Sequence, residues 1–457
     1  MNPSLKYYRF EALLQQQGWL SPAYVGVNES GEIIYLSEEQ PISSDHIESV
    51  NGCMLPGFQN AHSHAFQFAM AGMAERHPPG IDDDFWTWRE AMYRCALSMN
   101  PDQQEIVATA LYIEMLKRGY THVAEFHYLH HDKDGHYYRN IAEMGERLIS
   151  AAATAGIKIT LVPVMYQRGG FGLDFRPPQR RFISKTVEEY LHLLDDSAHV
   201  VSAYRHARLG FGVHSLRAVE GRDIIETIVN GPKNIPFHLH VAEQRREIDD
   251  CLSYYGVRPV QWILQNLPLN TRFHLVHCTH LDDEEVKKLA QSGAHVVLCP
   301  GTEGNLGDGF FRLTDFAQQY GSWSIGTDSH ISLNPLEDLR WLDYAQRLQT
   351  NRRNTFNDGA SLLINKTLLA GRNAMGYELP DYFSQGNPLD GVVYDMRSPF
   401  LQKGLEHLLS SIIYTADPSL VLGTIVNGKW IIKNHQHNES EKIGTTYAKV
   451  IREISFL

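Results

Sequence analysis

The 457-residue sequence has no CxxC pair and only five cysteines, Cys53, Cys95, Cys251, Cys278 and Cys299, scattered and odd in number. That leaves no basis for a zinc finger or a disulfide framework, and fits reduced thiols. No apolar run is long enough to span a bilayer, and the opening MNPSLKYYRFE lacks the apolar stretch of a secretory signal. The expected location is therefore the cytoplasm, with no membrane partner. Positive charge is also in short supply: 41 Lys and Arg stand against 53 Asp and Glu, a net charge of −12. Such a chain offers no broad basic face to nucleic acid, and an anionic ligand would depend on a few local arginines. Internal repeats and low-complexity tracts are absent.

What is present is a globular composition, 43% hydrophobic and 21% charged. Both ends are rich in β signals. Residues 21–37 alternate apolar and polar around Asn28-Glu29-Ser30-Gly31, and 422–434 carry Asn427-Gly428 between two β-rich runs, the favoured two-residue hairpin turn. Between the ends, eight short β-branched runs alternate with helical segments: 54–60, 121–127, 158–164, 209–215, 236–242, 272–278, 294–300 and 322–328. The clearest helix follows Asn100 as cap, with Pro101 in the first turn, Gln103 reaching back, Ile106, Ala110, Ile113 and Leu116 along one side, and Gly119 as stop. Residues 166–183 read as a long loop. Eight strand–helix units predict an α/β fold, a (β/α)8 TIM barrel over 54–383, with a small β-sandwich domain assembled from 1–53 and 384–457.

Reactive side chains of such a barrel sit at the carboxyl ends of its strands. The first strand runs into His62 and His64; on extended chain, residues two apart face the same way. The fourth run ends at His214, the fifth at His240 followed by Glu243, the sixth at His277 and the eighth at Asp328. Three imidazoles and a carboxylate suit one divalent ion, zinc first, with iron or manganese as alternatives. We assign His62, His64, His240 and Asp328 as its ligands. His238 points the same way as His240, which is preferred because it lies nearer the strand end and precedes Glu243 by three. An ion so held activates water near neutral pH, Glu243 is expected to carry protons, and His277, with Asp328, to orient or deprotonate the water. His127, His130, His131, His274, His280 and His330 are read as packing or capping loops. Arg89 and Arg217 stand after barrel strands, where guanidinium groups hold carboxylates.

The strings LPGFQNAHSHAF, HLHVAE, LVHCTH and SIGTDSH resemble the amidohydrolase superfamily, and within it the deaminase branch. LGFGVHS offers no bridging lysine or glutamate on the fourth strand, so the resemblance implies one metal rather than two. It also implies the reaction class: water attacks a trigonal C=N carbon and ammonia leaves. Longer strings, among them HSHAFQFAMAGMAE, DDFWTWREAMYR and GTDSHISLNPLEDLRWLDY, resemble those members that hydrolyse the formimino group of a glutamate-derived dianion. By that resemblance Gln67, Arg89, Tyr128, His214 and Arg217 bind the glutamate portion, and the enzyme is a homodimer. Phe68 departs from the arginine expected after Gln67, and Pro300-Gly301 stands where Leu-Ser is expected.

Two other readings compete. Phe85, Trp86 and Trp88 could stack on a purine, pterin or other aromatic base, making the chain a base deaminase; an uncharged ring would leave Arg89 and Arg217 nothing to pair with. A non-catalytic barrel scaffold would be expected to have lost ligands or Glu243, and none is lost.

Overall fold

The computed structural model describes residues 5–42, 46–76 and 83–454. The first four residues of the opening segment lie outside them. Eight strands form the central barrel: β1 Phe58–Ser63, β2 Tyr120–His127, β3 Lys158–Met165, β4 Phe211–Ser215, β5 Phe237–Val241, β6 Phe273–His277, β7 His295–Leu298 and β8 Ser322–Ile325. They pair in chain order, all parallel, with the short strand Ala207–Leu209 beside β3. Every residue of β2, β3, β5, β6 and β7 is buried. This is the pattern of parallel strands covered on both faces.

The ring closes where β8 meets β1. Ser63 and Asp328 form a parallel bridge, Asp328 N–H donates to His62 O at 3.0 Å and His64 N–H to Asp328 O at 3.3 Å. Gly326 allows this approach, because a Cβ there would lie 2.7 Å from the His62 Cβ. The seam therefore brings the two histidines at the end of β1 to the aspartate just after β8 through backbone pairing, which Asn60 reinforces by accepting from Thr327 N–H at 3.0 Å.

The chain ends build one mixed sheet. Lys6–Gln15, Gly18–Leu20, Ala23–Val27, Ile33–Ser37 and Ile47–Pro56 come from the beginning, and Gly391–Asp395, Val421–Val426 and Lys429–Lys433 from the end. Ile47–Pro56 pairs antiparallel with Gly391–Asp395 to join the halves. Both expected hairpins form, and Asn427 and Gly428 adopt φ of 48° and 69°, as their turn requires. The run read as one strand over 54–60 is divided: 54–56 end the mixed-sheet strand, and β1 starts after Gly57. Buried Lys158 at the start of β3 pairs with Asp390, tying the mixed sheet to the barrel floor.

Two helices separate β1 from β2: α1, Phe85–Ser98, and α2, Pro101–Lys117. In α2 the Asn100 side chain accepts from Gln103 N–H while Gln103 reaches back, as its sequence predicts. Its burial extends beyond the expected stripe, and Ile106 is only half-buried while Val107, Ala108 and Leu111 are buried. The reason is tertiary, since the terminal helix Ser440–Glu453 packs on its outer side. The loop over 166–186 carries one short 3-10 turn, Pro177–Gln179, before the helix Val187–Ser202.

Candidate metal centre and active site

Alternation along β1 sorts three side chains. Ser63 turns away from the pocket and donates to Glu125 Oε2 at 2.6 Å, while Ala65 N–H and Tyr112 OH also bond to that carboxylate at 2.5 and 3.0 Å. Burial raises Glu125 to about 7, against the pull of these bonds. The anchor fixes the peptide between His62 and His64 and sends both rings the other way. His62 Nε2 then lies 3.1 Å from His64 Nε2 and 3.0 Å from His240 Nε2. Asp328 Oδ1 completes the group at 3.6 Å from His62 Nε2 and 3.2 Å from His64 Nε2.

Protonation chemistry suits these four groups to a cation. His64 Nδ1 meets Phe126 O at 2.9 Å and His240 Nδ1 meets His214 O at 3.0 Å. Each Nδ1 therefore carries the proton, and each Nε2 lone pair points at the cluster. Burial, then neighbouring His64, pushes His62 down to about 3, and burial with His62 and His214 holds His240 well below the ordinary range. Burial would raise Asp328, but the neighbouring His62 and His64 hold it well below its usual range. Converging neutral imidazoles and an ionised carboxylate repel one another or leave lone pairs unmatched unless a cation lies between them. Tetrahedral coordination at ~2.0–2.1 Å spaces nitrogens about 3.3 Å apart, close to what is seen. The four side chains can therefore hold one metal ion.

His238 has no place in this group. It sits two residues lower on β5, where its Nε2 meets Ala374 O at 3.2 Å and its ring stacks on His274, which in turn stacks on His295. Three of the histidines read as structural are engaged likewise: His130 bonds to Val164 O, His131 to Ile183 O, and His330 to Thr327 Oγ1.

Two further groups lie beside the cluster. His277 Nε2 is 3.6 Å from both Glu243 Oε1 and Asp328 Oδ2, and its Nδ1 is 3.2 Å from Glu303 Oε1. Burial opposes its charge, yet Glu243, Glu303 and Asp328 outweigh that and carry His277 up to about 10. Glu243 leaves β5 through Ala242, whose φ is 52°; His277 and Asp328 have φ of 72° and 49°. Left-handed backbone at these three positions costs stability and persists where the fold over-determines it.

A cavity of about 620 Å³ opens over the cluster. Gln67, Arg89, Tyr128, His214 and Arg217 all line it, together with His64, His240, Glu243 and Asp328. Gln67 Nε2 donates to Tyr128 OH at 3.0 Å, and the Tyr128 ring lies edge-on to both His64 and His214. Arg89, on α1, rests on the Trp86 ring at 4.5 Å, and its Nε is buried without a hydrogen-bond partner among the described residues. The aromatic wall thus supports a guanidinium. Arg217 donates to Glu243 Oε2 at 2.9 Å. Phe68 stacks on Tyr447 of the terminal helix, so the expected arginine is replaced by a packing contact.

Sequence reasoning missed the carboxylates behind these groups. Glu125 and Glu303 hold the first two histidines and His277, and Glu247 accepts from the Ala242 and Glu243 N–H groups at 3.1 Å each. A signal existed only for Glu247, four residues after Glu243 at the start of a helix. Cys299 and Glu303 also lie near His277 as a second ligand-type group, but there Glu303 Oε1 already accepts from Cys299 N–H, and burial raises the Cys299 thiol well above its usual range.

Comparison with known proteins agrees with this geometry. The Amidohydrolase family profile matches residues 53–431. Formimidoylglutamate deiminase of Pseudomonas aeruginosa is 41% identical over 97% of this chain and 98% of its own length. The crystal structure of an amidohydrolase from Brucella melitensis superposes with a TM-score of 0.91 at 36% identity, covering 98% of this chain and 99% of that one. A 5-methylthioadenosine/S-adenosylhomocysteine deaminase of Thermodesulfovibrio yellowstonii is 25% identical over 84% of this chain and 81% of its own. The barrel, its ligand-bearing seam and these likenesses lead to one assignment: the chain belongs to the amidohydrolase family.

Proposed function

We propose that this chain is a metal-dependent hydrolase that deiminates N-formimino-L-glutamate to N-formyl-L-glutamate and ammonia, a step of histidine degradation. The observation that carries the reading is a relative of that name matching end to end at 41% identity, joined to a cavity beside the cluster that Arg89 and Arg217 help to line. The catalytic unit is the barrel over 54–383, accompanied by 1–53 and 384–457.

One zinc ion is proposed at His62, His64, His240 and Asp328, with iron or manganese as the alternatives a metal analysis would identify. Bound there, it supplies Lewis acidity that makes water a nucleophile near neutral pH. The protein does the rest. Arg89 and Arg217 take the two carboxylates of the substrate, while Gln67, Tyr128 and His214 set the depth and tilt of its chain. That positions the formimino carbon beside His277 and Asp328, which orient the attacking water. Glu243 takes up the proton the water gives up and delivers it to the departing nitrogen, so ammonia rather than an amide anion leaves.

A base deaminase is the second reading, because Phe85, Trp86 and Trp88 line the cavity. Ammonia release from N-formimino-L-glutamate, N-guanidino-L-glutamate, guanine, adenosine and cytosine separates the two. The expected kcat/KM for the formimino substrate exceeds that of every base by at least about 10³-fold, since a neutral ring gives Arg89 no carboxylate to pair with. Faster turnover of any base overturns the proposal.

A cytoplasmic homodimer belongs to the same proposal. All five cysteines are buried and free, which suits a reducing compartment. Trp341, Tyr344 and Leu348 are 43%, 38% and 69% exposed along one face of the helix Pro335–Thr350, a surface suited to burial between copies. Sedimentation is expected to give a dimer for the wild type and a monomer for Trp341→Glu. A wild-type monomer would remove the dimer from the proposal.

A further inference from the structure

Glu243 has to reach the departing nitrogen, yet its carboxylate is held elsewhere. Among the described residues, its side chain accepts one hydrogen bond, from Arg217 at 2.9 Å to Oε2, and its Oε1 lies 3.6 Å from His277. Arg217 is 8% exposed, on the turn after β4, with its guanidinium 5.5 Å from the Phe85 ring. Its Nε is 3.8 Å from Glu247 Oε2. One cation thus already faces two buried carboxylates before any substrate arrives.

The two carboxylates are not equally held. Glu247 is fully buried, and both its oxygens accept backbone N–H groups, from Ala242 and Glu243. Moving it would strand two peptide donors in the interior, which is costly. Glu243 has a fixed backbone but a side chain whose one hydrogen bond among the described residues comes from Arg217. A third carboxylate brought to the same guanidinium is repelled by both, and the less anchored one gives way.

Resting on the reading that the substrate is N-formimino-L-glutamate, we infer that Arg217 is a substrate-operated latch on Glu243: it holds the proton carrier aside in the free enzyme and releases it when a substrate carboxylate takes its place. Arg217 is thereby a positioning residue as well as a binding one. Part of the substrate's binding energy goes into freeing Glu243, so loss of the carboxylate lowers kcat as well as raising KM.

The test uses the metal-loaded wild-type enzyme with N-formimino-L-glutamate and two analogues, the formimino derivatives of 4-aminobutyrate and of L-2-aminobutyrate, each lacking one carboxylate. At saturation, one analogue is expected to lose about 100-fold in kcat, the scale of a displaced proton carrier, while the other loses in KM alone. In Arg217→Met the kcat gap between the full substrate and the affected analogue is expected to shrink to about threefold. Full kcat with both analogues, or an unchanged gap in Arg217→Met, overturns the latch. If Arg217→Met fails to fold by circular dichroism, wild-type crystals soaked with N-formyl-L-glutamate decide: opening of the Arg217–Glu243 contact beyond about 4 Å supports the latch, and a contact kept at 2.9 Å overturns it. No ammonia from N-formimino-L-glutamate itself would instead overturn the proposed reaction, a separate outcome.

Discussion

Glu243→Gln is expected to depress kcat by about 10²- to 10⁴-fold while one divalent ion per chain is retained. The substitution keeps shape and an oxygen for Arg217 to bond, so neither the turn after β5 nor the pocket wall is disturbed. It removes only the ability to accept and pass on a proton. Glu243 lies outside the four-residue cluster, and metal content should not move. Steady-state ammonia release together with elemental analysis of the same preparation checks both halves. Near-normal turnover would remove Glu243 from proton transfer, and lost metal would mean that the cluster extends to it.

The larger effect is expected from the cluster. His240→Gln fills similar space but supplies no imidazole, and His240 meets His62 Nε2 at 3.0 Å while its ring stacks on His277 and lies tilted against His214. Metal affinity should fall at least about 100-fold, the upper end of what removing an outer partner of a ligand costs, and turnover should drop to background. Thermal unfolding gives an independent readout. A ligand that binds the folded state at 1,000 times its Kd stabilises by about 4 kcal/mol, so chelation should lower the wild-type Tm and leave that of His240→Gln unchanged. A variant that holds stoichiometric metal and responds to chelator like the wild type would exclude His240 from the ligand set.

Much of this was legible before any coordinates. The eight barrel strands announce themselves as short buried-type runs, and the helix cap at Asn100 and both end hairpins follow from local chemistry that needs no tertiary context. The cluster is legible for a topological reason: a parallel barrel brings all carboxyl strand ends to one rim, so His62, His64, His240 and Asp328 converge if the strands are right. What was not legible depends on pairing across long stretches of chain. Glu303 reaches His277 from 26 residues away, and Glu125 reaches Ser63 from 62, distances over which a carboxylate carries no local signature. The break at Gly57 was hidden because strands in two different sheets abut with a single residue between them. Arg217 read correctly as a pocket arginine, but its contact with Glu243 could not be seen, since residue type says nothing of which partner a side chain holds at rest.

The proposed reaction needs a single cation at the β1–β8 seam. Anomalous X-ray scattering from crystals of the purified protein, recorded on both sides of the zinc absorption edge, tests it most directly. The expected result is one peak per chain, within about 2.0–2.2 Å of the Nε2 atoms of His62, His64 and His240 and an Asp328 carboxylate oxygen. A peak at His277, Cys299 and Glu303, a pair of peaks, or none in fully active enzyme would contradict it.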